Sequence, residues 1–180
     1  MCTNMSTNLL TKSISMDFLL DYGTPEHVIA HCVAVADVAK KIAKALNEKG
    51  FSLDLRLIET AGLLHDMARI DDKHWEVSAD FLQSRGFEEE ASIIRVHMHH
   101  HFPTDPGLTT ETDMVCLADR LVLEDQYVGL HVRMDYIIKK AANQPEIIQR
   151  IQSNKILVGE YISNLESILG EPIEAIVQTP

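Results

Sequence analysis

Between Val28 and Leu46 the apolar residues return at three- and four-residue steps: Val28, Cys32, Val35, Ala39, Ile42 and Leu46. A stripe of that period is the buried face of a long α-helix, and it excludes a strand over the same stretch. Thr24-Pro25 reads as an N-cap followed by proline at the first helical position, and Gly50 sits just past the other end. The same punctuation recurs along the chain. A second helix is expected from Ser52 or Asp54 through Ala68, a third from Lys73 to Arg85 with Gly86 as its stop, and a fourth from Glu88 to His99. Pro103 and Pro106-Gly107 then break the pattern. Thr112 or Asp113 can cap a fifth helix, and the tail from Arg133 to Ile168 reads as two helices interrupted near Gln144-Pro145. No segment alternates as a strand should, and there is no internal repeat. With 180 residues the chain is long enough for one all-α domain with a sizeable core.

Polar residues fall on several of these apolar faces. His31 lies between Val28 and Val35 on the first stripe. His65 follows Ala61 by four, His74 precedes Val77 by three, and His97 follows Ile93 by four. Asp119 follows Val115 by four and precedes Val122 by three. Asp66 lies about 100° around the helix from His65, at the edge of that face. A lone histidine in such a place is usually a hydrogen-bonded core residue. Five coincidences are harder to dismiss, because a carboxylate on a core face is costly unless something compensates its charge. Neutral imidazole and carboxylate together form a donor set for divalent ions such as Mn, Fe, Co or Zn. Thiolates are missing from the group, since Cys2, Cys32 and Cys116 are scattered, which disfavours a structural zinc site.

Charge narrows the partners. Sixteen Lys and Arg against 27 Asp and Glu leave a formal charge of −11, which argues against a surface that grips nucleic acid or an anionic membrane. A small phosphate substrate remains compatible if cations or placed arginines supply a local positive field. No apolar run approaches a membrane span, and Met1 to Thr11 lack the features of a signal peptide. The expected location is therefore the reducing cytoplasm.

His31, then Ala61-Gly62-Leu63-Leu64-His65-Asp66-Met67-Ala68, then Leu117-Ala118-Asp119-Arg120-Leu121 resembles the H…HD…D signature of the HD-domain superfamily of metal-dependent phosphohydrolases. Residues 24 to 140 carry the likeness. Two groups are similar: the small bacterial type that hydrolyses dinucleoside tetraphosphates, and the HD domain joined to molybdopterin-type nucleotidyltransferases. The stretch His74 to Phe87, with Ile94-Arg95-Val96-His97-Met98, is similar to both. The chain departs from them at Met67-Ala68, where glycine is common, at His99, His100 and His101, and at Glu124, which replaces a glycine.

The resemblance implies an all-α, single compact HD-domain helical bundle over residues 14–180, with C-terminal helices and a disordered start over residues 1–13. It implies His31, His65, Asp66 and Asp119 as core metal ligands, with His74 and His97 completing a binuclear site for one or two divalent ions (Fe, Mn, Co or Mg). Arg69 stands where the family has a basic residue, and it is expected to contact phosphate. Asp66 is the candidate bridge, because its two oxygens adjoin a ligating histidine. His101, with His100 beside it, is a candidate proton donor to the leaving group, and His100 a substrate contact. The function expected is hydrolysis of a phosphate ester or anhydride of a nucleotide or similar small compound. The alternative is a non-catalytic regulatory module that binds metal or nucleotide. The tail helices could pack on the core or form a homodimer surface.

Overall fold

A Cβ added to Gly62 would stand 2.9 Å from the Cα of Ala36, so glycine is what lets two helix backbones meet there. That crossing joins α2 (Glu26–Glu48) to α3 (Leu55–Leu64), and it fixes the part of the fold that matters for the site. The computed structural model describes residues 9–179. The remaining elements are α1 (Lys12–Tyr22), α4 (His74–Gln83), α5 (Glu88–Val96), α6 (Glu111–Asp119), α7 (Gly129–Lys140), α8 (Pro145–Leu169) and α9 (Ile173–Gln178). Short 3₁₀ turns cover His97–His99 and Pro106–Leu108. The chain is an all-α bundle. Its one minor sheet among the described residues is an antiparallel hairpin, β1 (Val122–Leu123) with β2 (Gln126–Tyr127), which the sequence pattern does not announce.

Two apolar clusters hold the bundle. The larger buries Val35, Ala39, Ile42 and Leu46 of α2 against α3, α6 and the tail helices, through Val158, Tyr161, Leu165 and Ile173. The smaller joins Leu19 of α1 to Leu63, Leu64 and Met67, and to Leu82, Phe87 and Ile94 around α4 and α5. The tail therefore covers the core. Lys41 of α2 reinforces this by donating to the carbonyls of Val177 and Thr179 at the end of α9.

Several boundaries differ from expectation. Residues 1–8 of the expected disordered start lie outside the described residues. Residues 9–13 are ordered: Leu10 is buried and Thr11 caps α1 through Ile14 N. Thr24 does not cap α2, because its buried hydroxyl donates 2.7 Å to the Met67 carbonyl instead. Asp54 caps α3 as expected, accepting from Arg56 N and Leu57 N. The helix stops at Leu64 rather than Ala68, and the cap of α6 is Thr110, with Asp113 as its reciprocal partner. Trp75 and Phe81 are half-buried.

Candidate metal centre

His65 and Asp66 follow the end of α3, with His65 still in right-handed helical backbone, so the two side chains flank one centre from directions about 100° apart. Past Leu64 the chain runs in turns, held by Thr24 on the Met67 carbonyl and by Ser78 Oγ accepting from Ala68 N. Both His65 and Asp66 are buried there. His31 arrives from α2 across the Gly62 crossing, His74 from the first residue of α4, His97 from just past α5, and Asp119 from the last residue of α6.

These six side chains meet. His31 Nε2 lies 3.2 Å and His65 Nε2 3.8 Å from Asp119 Oδ1. His65 Nε2 is 3.7 Å from Asp66 Oδ2, while Asp66 Oδ1 is 3.0 Å from His74 Nε2 and 3.7 Å from His97 Nε2. The donors divide into two groups that could each hold an ion, His31/His65/Asp119 and Asp66/His74/His97. Asp66 faces both, one oxygen to each. The structure thus brings together all six residues singled out in the sequence.

Three of the rings are aimed from behind. His31 Nδ1 lies 2.7 Å from the Glu124 carbonyl, His65 Nδ1 2.8 Å from that of Gly62, and His97 Nδ1 2.7 Å from that of Ile94. A carbonyl only accepts, so each Nδ1 carries a proton and each Nε2 faces inward. Lys73, just before His74, and Glu124 are the non-glycine residues with left-handed backbone among those described. Both strained positions adjoin the candidate donors: Lys73 precedes His74, and Glu124, at the turn of the hairpin where the resemblance expects glycine, accepts from His31.

The donor set fits a divalent cation on a direct observation. His65 Nε2, Asp66 Oδ1 and His97 Nε2 are buried with no hydrogen-bond partner, although His74 comes close to Asp66 at a poor angle. Native interiors rarely leave such atoms orphaned unless something else satisfies them. The electrostatics agree. Burial opposes charge on Asp66, yet the neighbouring His65, His74 and His97 rings hold its carboxyl well below the usual range. Asp119 is held down likewise by His31, His65 and Arg133 against its burial. Burial also opposes charge on His65, but Asp66, Cys32 and Asp119 raise its proton affinity well above that of a free imidazole.

Arg69 borders the group, its Nε 3.6 Å from Asp66 Oδ2 and its Nη1 3.2 Å from His74 Nε2, with nearly half of its side chain exposed. The remaining candidates sit elsewhere. His100 Nε2 is taken by Asp113 Oδ1 at 2.7 Å, and its ring meets Phe102 edge-on. His101 is exposed and faces a cavity of about 270 Å³ with His100, Phe102 and Tyr161. Neither belongs to the two ligand groups. Arg133 of α7 also borders the cluster, its Nη2 3.9 Å from Asp119 Oδ1.

The family model described as the HD domain matches residues 28–123, more than half of the chain. The chain belongs to the HD domain family. All six donors lie inside the matched HD domain. An uncharacterized protein of Methanocaldococcus jannaschii is 30% identical over 78% of this chain and 90% of its own length. A tRNA (cytidine(56)-2'-O)-methyltransferase of Thermoplasma volcanium is 28% identical over 69% of this chain and 40% of its own. A ribonuclease Y of Thermus thermophilus is 32% identical over 59% of this chain and 18% of its own. The chain therefore spans well under half of those two longer relatives. No solved structure matches. No helix among the described residues is long and apolar enough to cross a membrane.

Proposed function

We propose that this HD domain is a metal-dependent phosphohydrolase acting on a phosphate ester or anhydride of a nucleotide or similar small compound. The observation that carries the reading is the orphaned trio of buried donor atoms, His65 Nε2, Asp66 Oδ1 and His97 Nε2, turned into one six-residue cluster. His31, His65 and Asp119 would hold one divalent ion and His74 and His97 a second, with Asp66 shared between them. A histidine-rich set of this kind suits Mn, Fe or Co better than Mg, which prefers oxygen donors. Such ions, when bound, supply Lewis acidity: they acidify water and neutralise phosphoryl oxygens. The chain's own residues do the rest. The three backbone carbonyls behind His31, His65 and His97 keep those rings in one tautomer and orientation. Arg69, beside Asp66 and open to solvent, is placed to bind a phosphoryl oxygen and orient the substrate. In a chain of net charge −11 that local cation matters more than the surface field.

The test is metal content and phosphate release from a panel of nucleotides with added Mn²⁺ or Fe²⁺. About two ions per chain are expected, with ion-dependent turnover that falls by roughly a thousandfold or more in Asp66→Ala. Bound ions without turnover on any member of the panel would instead mark a binding module.

A further inference from the structure

Arginines inside this fold mostly spend their donors on the protein. Arg56 donates to the Leu10 carbonyl and to Glu90, and it pairs with Asp54. Arg120 donates to the carbonyls of Cys116 and His100 and lies over the Phe102 ring. Arg133 differs. Its side chain is only 16% exposed, yet among the described residues its one hydrogen bond runs from Nε to the Asp119 carbonyl, at 3.4 Å. Neither Nη donates to any described residue, and neither is sealed from solvent. The terminal fork is tethered in place with its donors unspent.

Its location gives those donors a direction. Nη2 is 3.9 Å from Asp119 Oδ1, the same oxygen that faces His31 and His65. Arg69 stands at the other end of the cluster, against Asp66 and His74. Between the two ends the rings run in sequence: His31 to His65 at 5.4 Å between centroids, His65 to His97 at 5.3 Å, and His97 to His74 at 5.6 Å. A guanidinium matches two phosphoryl oxygens in its plane, and a fork already immobilised loses little entropy on binding. One phosphoryl group at the centre needs only one such clamp. We infer that Arg133 is a substrate-binding residue that takes a second phosphoryl group, linked to the one held at Arg69. The substrate class this fits carries two phosphoryl groups in tandem.

The inference rests on the phosphohydrolase reading, and its test reads binding instead of turnover. Mn²⁺-loaded protein is titrated with inorganic phosphate and with pyrophosphate by calorimetry, at equal free Mn²⁺ throughout. The wild-type protein is expected to favour pyrophosphate by about tenfold or more. Arg133→Ala should lose about tenfold for pyrophosphate and under about twofold for phosphate, with Mn²⁺ per chain unchanged. Arg133→Lys, which keeps the charge and loses the fork, should fall between them and guards against misfolding of the alanine variant. Equal weakening of both probes, no weakening of either, or loss of Mn²⁺ from both variants would overturn the inference, the last making Arg133 a support for Asp119. Absence of any preference in the wild type would overturn it too. Failure of the phosphohydrolase reading shows separately, as probe binding that still ranks the variants while no nucleotide is hydrolysed.

Discussion

Two groupings of histidine and aspartate lie in this fold, and they end in opposite states. In the loop after α5, His100 meets Asp113 at 2.7 Å, and the other Asp113 oxygen accepts from both Thr110 N and Thr110 Oγ1. Every inward atom of that carboxylate has a protein partner. In the six-residue cluster, Asp66 Oδ1, His65 Nε2 and His97 Nε2 are just as buried and have none. Residue type and burial are alike in the two places; satisfaction is what differs. A satisfied buried pair holds the fold, whereas an unsatisfied one waits for something outside the chain.

The widest gap should open on deleting a carboxylate. Asp113→Ala leaves the Thr110 amide, the start of α6 and His100 without their acceptor, and should cost about 3 kcal/mol of unfolding free energy. Its metal content should stay at the wild-type level. Asp66→Ala should do the reverse, with metal lost and the metal-free unfolding midpoint shifted less than by Asp113→Ala. Denaturant unfolding alongside elemental analysis checks both. Loss of metal in Asp113→Ala with little loss of stability would erase the distinction.

How much of this was legible beforehand follows from the same contrast. Helical period alone put His31, His65, His74, His97 and Asp119 on apolar faces, because a ligand for a buried ion must leave its helix on the core side. Local pattern could not show that α3 unwinds after Leu64. That depends on Thr24 and Ser78, one 43 residues before its partner Met67 and the other 10 after its partner Ala68. Nor could it show that His100 has a buried acceptor 13 residues away, which is why His99, His100 and His101 read as one run although their environments differ. Nor could it join Arg133 to Asp119, since the two belong to different helices.

A second difference concerns protons, and its effect is about tenfold per pH unit at most. His65 must release its Nε2 proton to offer a lone pair, and its proton affinity is raised well above the ordinary 6.5. Metal affinity should therefore keep climbing with pH beyond that value, with a slope near one proton. Asp66 and Asp119, held well below 3.8, add no slope near neutrality. Folding of the metal-free protein runs the other way. A raised imidazole pKa contributes stability below 6.5 and loses it as pH rises through the folded value, while the lowered carboxylates contribute above 3.8 and fail only in acid. Mn²⁺ titrations and thermal unfolding between about pH 6 and about pH 8 read both slopes. A flat metal affinity across that range would contradict the charge assignment.

The smallest effect is expected where a pair is satisfied but wet. Tyr22 of α1 donates to Asp71 Oδ2 at 2.5 Å, joining the first helix to the turns that carry His65, Asp66 and Arg69. That bond, followed by partial burial and the Asp71 charge, pushes the phenol up to about 12. Asp71 is exposed, however, and water can take the place of either partner. Tyr22→Phe should therefore cost only about 0.5 kcal/mol and leave metal content unchanged. The nearby Thr24 hydroxyl makes the buried counterpart, on the Met67 carbonyl, and Thr24→Val strands that carbonyl inside the fold. It should cost about 1 to 2 kcal/mol. Chemical denaturation of the two variants side by side separates exposure from connectivity, since both bonds tie the start of the chain to the same turns. If Tyr22→Phe proved the costlier, anchoring of those turns from the surface would outweigh satisfaction in the interior.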